Sequence, residues 1–375
     1  MIQYKKTLFK IDSSSKERFI TYKAEDGIIH KVSGVVNGKH ITHTPTVCKG
    51  KNIGKSNETT PTVQAVLEVK SKVKNKLVKE YFATLEEAKN TIVVLPMLAK
   101  TYTNAILNKS NATELYVQRK YDGIRCIAHV TEGVVKLMSR SNKDIMITKG
   151  GSMQHIVDQM STFPNGIYDG ELFNLNIGSF QMQTKAINKY VAGISEQIDY
   201  NIYDIILNVP FKIRNLEVGT RIAIANCPSI KRVPTETVPV DSVTNVYLKT
   251  IHDEFVTEGY EGAIVRVGDC PYEMNKRSKG LLKMKQFFDI DAEIIAIIPQ
   301  DSDPTKGQPI CRSLEKIHGV VLGAEFKAGM SVSHAEQKNM LANPNQYTDK
   351  IANIRFFEAT DDGLPRHPVY HGVKI

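Results

Sequence analysis

Cysteine is scarce in this chain of 375 residues. Five cysteines (Cys48, Cys126, Cys227, Cys270 and Cys311) lie far apart, with no C-x-x-C pair among them. That spacing argues against a disulfide framework and against a zinc site built on paired cysteines, and a reducing intracellular compartment fits best. No stretch approaches the ~18 consecutive apolar residues of a membrane-spanning helix. The opening Met1-Ile2-Gln3-Tyr4-Lys5-Lys6 leads into no apolar run, so a secretory signal is not expected. Internal repeats and long low-complexity linkers are absent as well. What remains is an ordinary globular composition, 41% hydrophobic and 24% charged. At roughly 100–200 residues per domain, the length predicts two or three domains.

Acidic residues are too few to balance the basic ones, 40 against 49, and the imbalance is local. Residues 1–90 hold 17 Lys+Arg and 9 Asp+Glu, a net of +8, and the other 285 residues are nearly neutral. A basic N-terminal module on a neutral body points to a polyanion, nucleic acid before anionic membrane, with a solvated basic face as the plain alternative. Asp26-Gly27 and Asn37-Gly38 separate β-like runs at Arg18–Tyr22 and from Ile28 to Val36, which is a hairpin pattern. A polar loop is expected from Cys48 to Glu58. Thr60-Pro61 then marks a helix start, after which Val63, Val66, Leu67, Val73, Leu77 and Tyr81 recur at mostly helical spacing. The same helix carries Lys70, Lys72, Lys74, Lys76 and Lys79. From residue 95 to 287 strands, glycines and short helices mix in the order of an α+β fold. After Asp289 short strands return (Ala292 to Ile298, Gly319 to Phe326, Ile351 to Ala359), enough for a five-stranded barrel.

Five segments carry chemistry. Val117-Gln118-Arg119-Lys120-Tyr121-Asp122-Gly123 sets a lysine at a sheet edge beside an Asp-Gly turn. Such a lysine attacks only when neutral, which requires its pKa of about 10.4 to fall through burial or cationic neighbours. Tyr168-Asp169-Gly170-Glu171 sets two carboxylates around a glycine, and Tyr200-Asn201-Ile202-Tyr203-Asp204 pairs aromatics with an acid in an apolar strand. Glu261 and Arg266 bracket the strand Gly262–Val265, and Lys283 and Lys285 share one face of another by the period of two. Each alone reads more simply as a strand with polar ends.

Together, in this order and spacing, they resemble motifs I, III, IIIa, IV and V of the covalent nucleotidyltransferases. That superfamily comprises ATP-dependent DNA ligases, RNA ligases and mRNA capping enzymes. The resemblance covers about residues 93–287 and continues into the tail. Leu95-Pro96-Met97-Leu98-Ala99 resembles the lead-in of ATP-dependent DNA ligases, and Ser139-Arg140-Ser141 matches the Ser-Arg of motif Ia. The resemblance implies that Lys120 attacks the α-phosphate of ATP and holds AMP. It implies that Glu171 contacts ribose or a metal, that Tyr203 stacks on adenine, and that Gln118 sits at the base-reading position. Glu261 would bind the catalytic Mg²⁺ or Mn²⁺, and Lys283 and Lys285 would neutralise the α-phosphate. Arg125, Arg140 and Arg266 match nick- and phosphate-contacting positions, with pairing to internal carboxylates as the plain alternative.

The ending, from Arg355-Phe356-Phe357-Glu358 to Pro365-Arg366-His367-Pro368, resembles the short ATP-dependent DNA ligases of phages and bacteria. It lacks the Arg/Asp/Lys-rich motif of capping enzymes, so no tail residue receives a role. Gly50–Lys55 with the basic helix resembles WGR-type domains, although the chain has no tryptophan. The expected architecture is a basic β+α DNA-binding module (1–91, with Lys70 and Lys74 as DNA contacts), an adenylation domain (92–287) and an OB-fold β-barrel (288–375). A hinge falls near residues 286–290. The expected protein is a monomeric, cytoplasmic, bacterial or phage-encoded enzyme that seals nicked double-stranded DNA in repair, replication and recombination. An RNA ligase on the same core is the first alternative, and a nucleic-acid-binding protein without catalysis is the second.

Overall fold

The computed structural model describes residues 2–12, 14–90, 94–103, 113–148, 151–240 and 245–374. The expected boundary at residue 91 and the side chain of Lys79 lie outside them. Five strands open the chain: β1 (Ile2–Ile11), β2 (Glu17–Glu25), β3 (Ile28–Val35), β4 (His40–Thr42) and β5 (Thr46–Val47). β1, β2 and β3 pair antiparallel in sequence order, and β4 and β5 both pair with β3. Helices α1 (Pro61–Lys79) and α2 (Leu85–Asn90) follow. The Thr60 side chain accepts from the Val63 N–H and caps α1, as Thr-Pro leads one to expect.

The buried face of α1 matches the expected one in part: Val66, Val73 and, beyond the helix, Tyr81 join the core, whereas Val63, Leu67 and Leu77 do not. Ala65, Val69 and Val73, spaced by four, pack with Leu8, Ile20 and Tyr22 of the sheet. Val63, Leu67 and Leu77 are 40–48% exposed, and the helix stops before Tyr81. Small Ala65 lets the helix lie close to the sheet, a signal that counting large apolar residues misses.

Two five-stranded sheets build the middle of the chain. In chain order the elements are β6 (Leu98–Thr101), β7 (Glu114–Lys120), β8 (Ile124–Thr131), β9 (Val134–Ser139), α3 (Ile145–Thr148), α4 (Gln154–Met160) and β10 (Gly166–Phe173). Then come α5 (Phe180–Asn188), β11 (Asp199–Ile205), α6 (Phe211–Ala225), β12 (Ile230–Arg232), β13 (Thr235–Pro239), α7 (Asn245–Thr257), β14 (Gly262–Val267) and β15 (Arg277–Lys285). One sheet runs β12-β11-β10-β8-β9 and the other β13-β7-β14-β15-β6. Each has its own apolar core, the first around Cys126 and Ala128 with Tyr168 and Tyr200, the second around Val117, Val265 and Phe255.

The last segment is β16 (Phe288–Pro299), β17 (Gly307–Ser313), β18 (Glu325–Lys327), β19 (Gly329–Met330), α8 (His334–Ala342), β20 (Ile351–Phe356) and β21 (Val369–Val373). They form one sheet of six strands, where five were expected, in the order β18-β17-β16-β20-β21-β19. The Ala328 N–H donates to the Pro309 carbonyl at 3.1 Å and draws the chain between the two edge strands back onto β17. The strand expected over Gly319–Phe326 is only Glu325–Lys327. His318, Gly319 and Gly323 all have positive φ (47°, 81° and 78°), so the apolar residues there sit in turns. No helix among the described residues is long and apolar enough to cross a membrane.

Candidate active site

Lys120 is the last residue of β7, and strand register decides its neighbours. β14 lies between β7 and β15, with Gly262 opposite both Lys120 and Lys285, and Ile264 opposite both Gln118 and Lys283. Residues directly opposite each other share a face, so Gln118, Lys120, Arg266, Lys283 and Lys285 all emerge on one side of the sheet. Glu261, just ahead of β14, donates its N–H to the Lys120 carbonyl at 2.9 Å. Its carboxylate pairs with both the Lys120 and the Lys285 ammonium groups and is almost fully buried.

Two glycines are required by close approach. A Cβ on Gly123 would lie 2.3 Å from the Leu172 carbonyl oxygen, so the Asp-Gly turn after Lys120 can press onto β10 only as glycine. Gly262, with φ of +142°, leaves 2.4 Å between such a Cβ and the Met284 carbonyl oxygen, which allows Glu261 its place against β15.

The second sheet supplies the facing wall. Glu171 of β10 lies opposite Arg125 of β8. In the β10–β11 pair, Asp169 faces Asp204 and Gly170 faces Ile202, leaving Tyr203 as the extra residue of a β-bulge. Bulges re-aim side chains beside functional sites, and Tyr203 here turns into the cleft. The cleft between the sheets measures about 250 Å³, and its lining includes Gln118, Lys120, Arg125, Glu171, Tyr203 and Lys283. Arg140, Arg266 and Lys285 line it too, as does Arg277, which the sequence reading missed. Arg277 shares odd-numbered parity with Lys283 and Lys285 on β15, which was the available signal. Lys70 and Lys74 lie on α1, away from this cleft.

The arginines divide into two groups. Arg140 is exposed and forms no ion pair among the described residues. Arg125 instead donates bidentately to Asp169 at 2.9 and 2.6 Å, and Tyr272 adds a hydroxyl to the same carboxylate at 2.6 Å. Arg266 is 3% exposed and donates to Gln118 Oε1 at 2.7 Å and to Asp204 Oδ2 at 2.6 Å. Arg266 thus forms the internal ion pair of its plainer alternative while still lining the cleft. Asp204 is fully buried and also receives Arg214 Nε at 2.7 Å. Gln118 in turn donates to Thr235 Oγ1 at 2.9 Å, so both ends of its amide are fixed.

Titration follows from this crowding. Burial lowers the Lys120 amine to about 8; Lys285 and Lys283 add to the shift, while Glu171 and Asp122 oppose it. Burial raises the Glu171 carboxyl to about 7, against the pull of Lys120 and Arg125. Lys283 and Lys285 are themselves shifted down, chiefly by burial.

The C-terminal segment reaches the same place. Arg366 donates to Asp122 Oδ2 at 2.5 Å, two residues from Lys120, and also pairs with Glu358. Its guanidinium lies 3.9 Å from the Phe180 ring centre, and Lys285 lies 4.8 Å from that of Phe357. Ser179 donates to Asp361 at 2.8 Å.

A lysine among cations and carboxylates thus lines a cleft between two sheets. The family model of the ATP dependent DNA ligase domain matches residues 96–285, and the chain belongs to that family. The DNA ligase of Enterobacteria phage T4 is 24% identical over 306 residues, covering 68% of this chain and 62% of that protein. The DNA ligase of African swine fever virus (isolate Pig/Kenya/KEN-50/1950) is 28% identical over 272 residues, covering 68% and 61%. The match thus spans about three fifths of these relatives. A Lig E DNA ligase structure aligns with a TM-score of 0.60 at 21% identity, covering 76% of this chain and 100% of that one. Another solved structure, Pmar-Lig_Pre, aligns at 0.63 and 17% identity, covering 77% and 70%. Both likenesses concern the fold.

Three outcomes follow from this arrangement. The rate of covalent labelling by ATP should rise about tenfold per pH unit below about 8 and level off above it, as the Lys120 amine becomes neutral. Lys285→Ala removes a neighbouring positive charge and should move that midpoint upward; an unchanged or lowered midpoint would contradict the charge arrangement. Asp204→Asn leaves Arg214 and Arg266 buried without their counter-charge. Denaturant unfolding of the catalytic part should register a loss of about 3–5 kcal/mol.

Proposed function

We propose that the chain is an ATP-dependent DNA ligase that seals nicks in duplex DNA through a lysyl-AMP intermediate. The observation that carries this reading is Lys120, an amine lowered to about 8 and set against the buried carboxylate of Glu261 in a cation-lined cleft. Lys120 Nζ attacks the α-phosphorus of ATP; the new P–N bond forms as the bond to the bridging oxygen breaks, and pyrophosphate leaves. AMP then passes to the 5′-phosphate of the nick, which frees the lysine. The 3′-hydroxyl attacks that phosphate, AMP departs, and the strand is continuous.

Each cleft residue has a part. Lys283 and Lys285 stabilise charge on the α-phosphate, Arg140 and Arg277 at the rim receive phosphates, and Tyr203 offers its ring to the base. Arg125 and Arg266, held by internal carboxylates, support the wall they line. They lie 5.8 and 5.4 Å from the Tyr203 ring centre, and Arg266 orients Gln118. Glu171 and Glu261 suit Mg²⁺ or Mn²⁺. Glu171 is a hard oxygen donor whose raised pKa reflects burial without enough positive charge. Mg²⁺ typically takes one or two carboxylates and completes its shell with water and substrate phosphate, and no larger group of acidic, histidine or cysteine ligands occurs among the described residues. When bound, the ion would neutralise phosphate charge.

We further assign residues 1–91 to a basic duplex-binding module, 92–287 to adenylation and 288–375 to an OB-fold whose Arg366 closes on Asp122. The protein acts as a monomer inside the cell, with nicked DNA as its partner.

Incubation with α-labelled ATP and Mg²⁺ should label the protein covalently, and Lys120→Ala should abolish the label; persistent label would remove Lys120 as nucleophile. Lys283→Ala should slow labelling by about 10²-fold while the protein stays folded, as read by single-turnover kinetics and circular dichroism. Sealing should favour a nicked DNA duplex over a nicked RNA duplex.

A further inference from the structure

A strongly basic segment lies outside the cleft, between Asn37 and Asn57, with the Glu58 carboxylate folded back on its tip. These residues include Lys39, Lys49, Lys51 and Lys55 and two histidines, but no aspartate or glutamate. Both short strands within the segment, β4 and β5, are exposed at every position. Exposed branched aliphatics accompany the charge, with Val47 at 74% and Ile53 at 81%. Among the described residues Lys39, Lys49 and Lys55 form no ion pair, and Lys51 reaches Glu68 at 3.3 Å.

The segment is nevertheless held in shape. Lys51 and Thr59 form a backbone bridge, with the Thr59 N–H donating to the Lys51 carbonyl at 3.0 Å. The Thr59 hydroxyl accepts from the Lys51 N–H at 3.1 Å and donates to Gln64 of α1 at 2.9 Å. At the tip, the Lys55 N–H closes a turn onto the Asn52 carbonyl at 2.9 Å, and the Gly54 N–H donates to Glu58 at 2.8 Å. Ile53 therefore stands in water on a fixed turn, with Lys51 and Lys55 on either side. A single exposed apolar residue is ordinary; what sets Ile53 apart is its place on a fixed turn between cations that form no pair or only an exposed one.

We propose that this arm is the duplex grip of the N-terminal module, with Ile53 entering the minor groove and Lys49, Lys51 and Lys55 meeting the flanking phosphates. The inference rests on the reading that this module binds DNA and says which surface does so. Minor-groove binders combine Lys or Asn with an apolar wedge, and a fixed loop loses little freedom on docking. The helix lysines fit the role less well. Lys70 lies 5.8 Å from the Tyr4 ring centre and Lys76 lies 5.0 Å from that of Tyr81, so part of that row already rests on its own module.

The test uses the full-length protein and fluorescently labelled nicked duplex across a salt series, with three variants that melt as the wild type does. Lys49→Glu/Lys55→Glu should weaken binding by about tenfold and flatten the slope of log affinity against log salt by about 2. Ile53→Asn should weaken binding about threefold and leave the slope unchanged, because it removes no phosphate contact. Wild-type affinity and slope in the lysine pair variant would overturn the proposal. If Lys70→Glu/Lys74→Glu alone weakens binding, the module grips DNA through α1 and only the arm assignment fails. If neither pair matters, the DNA-binding reading of the module fails with it. Loss of binding to phosphatidylserine vesicles, with duplex affinity intact, would make the arm a membrane contact and overturn the proposal as well.

Discussion

One carboxylate shared by two ammonium groups organises this protein. Glu261 sits between Lys120 and Lys285 because β14 runs between β7 and β15, with Gly262 opposite a lysine on each side. A carboxylate by itself favours the charged amine, so the downward shift comes from burial and from the Lys285 and Lys283 charges. Together they lower the Lys120 amine to about 8. The sheet register thus sets the chemistry. A slip of one residue in β14 would turn the neighbours of Glu261 to the opposite face and leave the lysine an ordinary cation.

Behind the lysines lies a second set of charges, paired with one another, of which Arg125 and Arg266 also line the cleft. Asp204 holds Arg214 and Arg266, Asp169 holds Arg125, and through Arg266 the order reaches Gln118. Buried ion pairs of this kind are weak contributors to net stability, because desolvation offsets much of their attraction. Their effect here is positional. They fix the amide of Gln118 and flank the bulged Tyr203, so the cleft wall is rigid before a nucleotide arrives. The C-terminal segment adds a contact of another kind. Arg366 and Asp361 bring its loops onto Asp122 and Ser179 through exposed or half-buried polar pairs, which can part without uncovering an apolar core.

The candidate residues were legible in the sequence through the order and spacing of five segments and the family they resemble, since each segment alone reads as a strand with polar ends. Lys120, Glu171, Glu261, Lys283 and Lys285 each belong to a short strand motif, and alternation along a strand states which residues share a face. The Thr-Pro helix start and the Asp-Gly turn were readable on the same scale. What escaped depended on distance or on the quiet residues. Arg366 meets Asp122 across 244 positions, and nothing near either residue announces it. Arg266 had the same local pattern as a phosphate ligand, but its partner Asp204 lies on the other sheet. The buried stripe of α1 turned on Ala65, a residue too small to register in a count of large apolar side chains. The turns after His318 were hidden because alternating apolar residues do not reveal a positive φ.

The account rests on the charge state of one amine. A lysine side-chain NMR titration of the nucleotide-free protein, with the signal assigned through Lys120→Arg, measures it directly. A midpoint near 8 for Lys120 is the predicted result. A midpoint at the ordinary lysine value of about 10.4 would contradict the claim that burial and the neighbouring cations prepare this residue for attack.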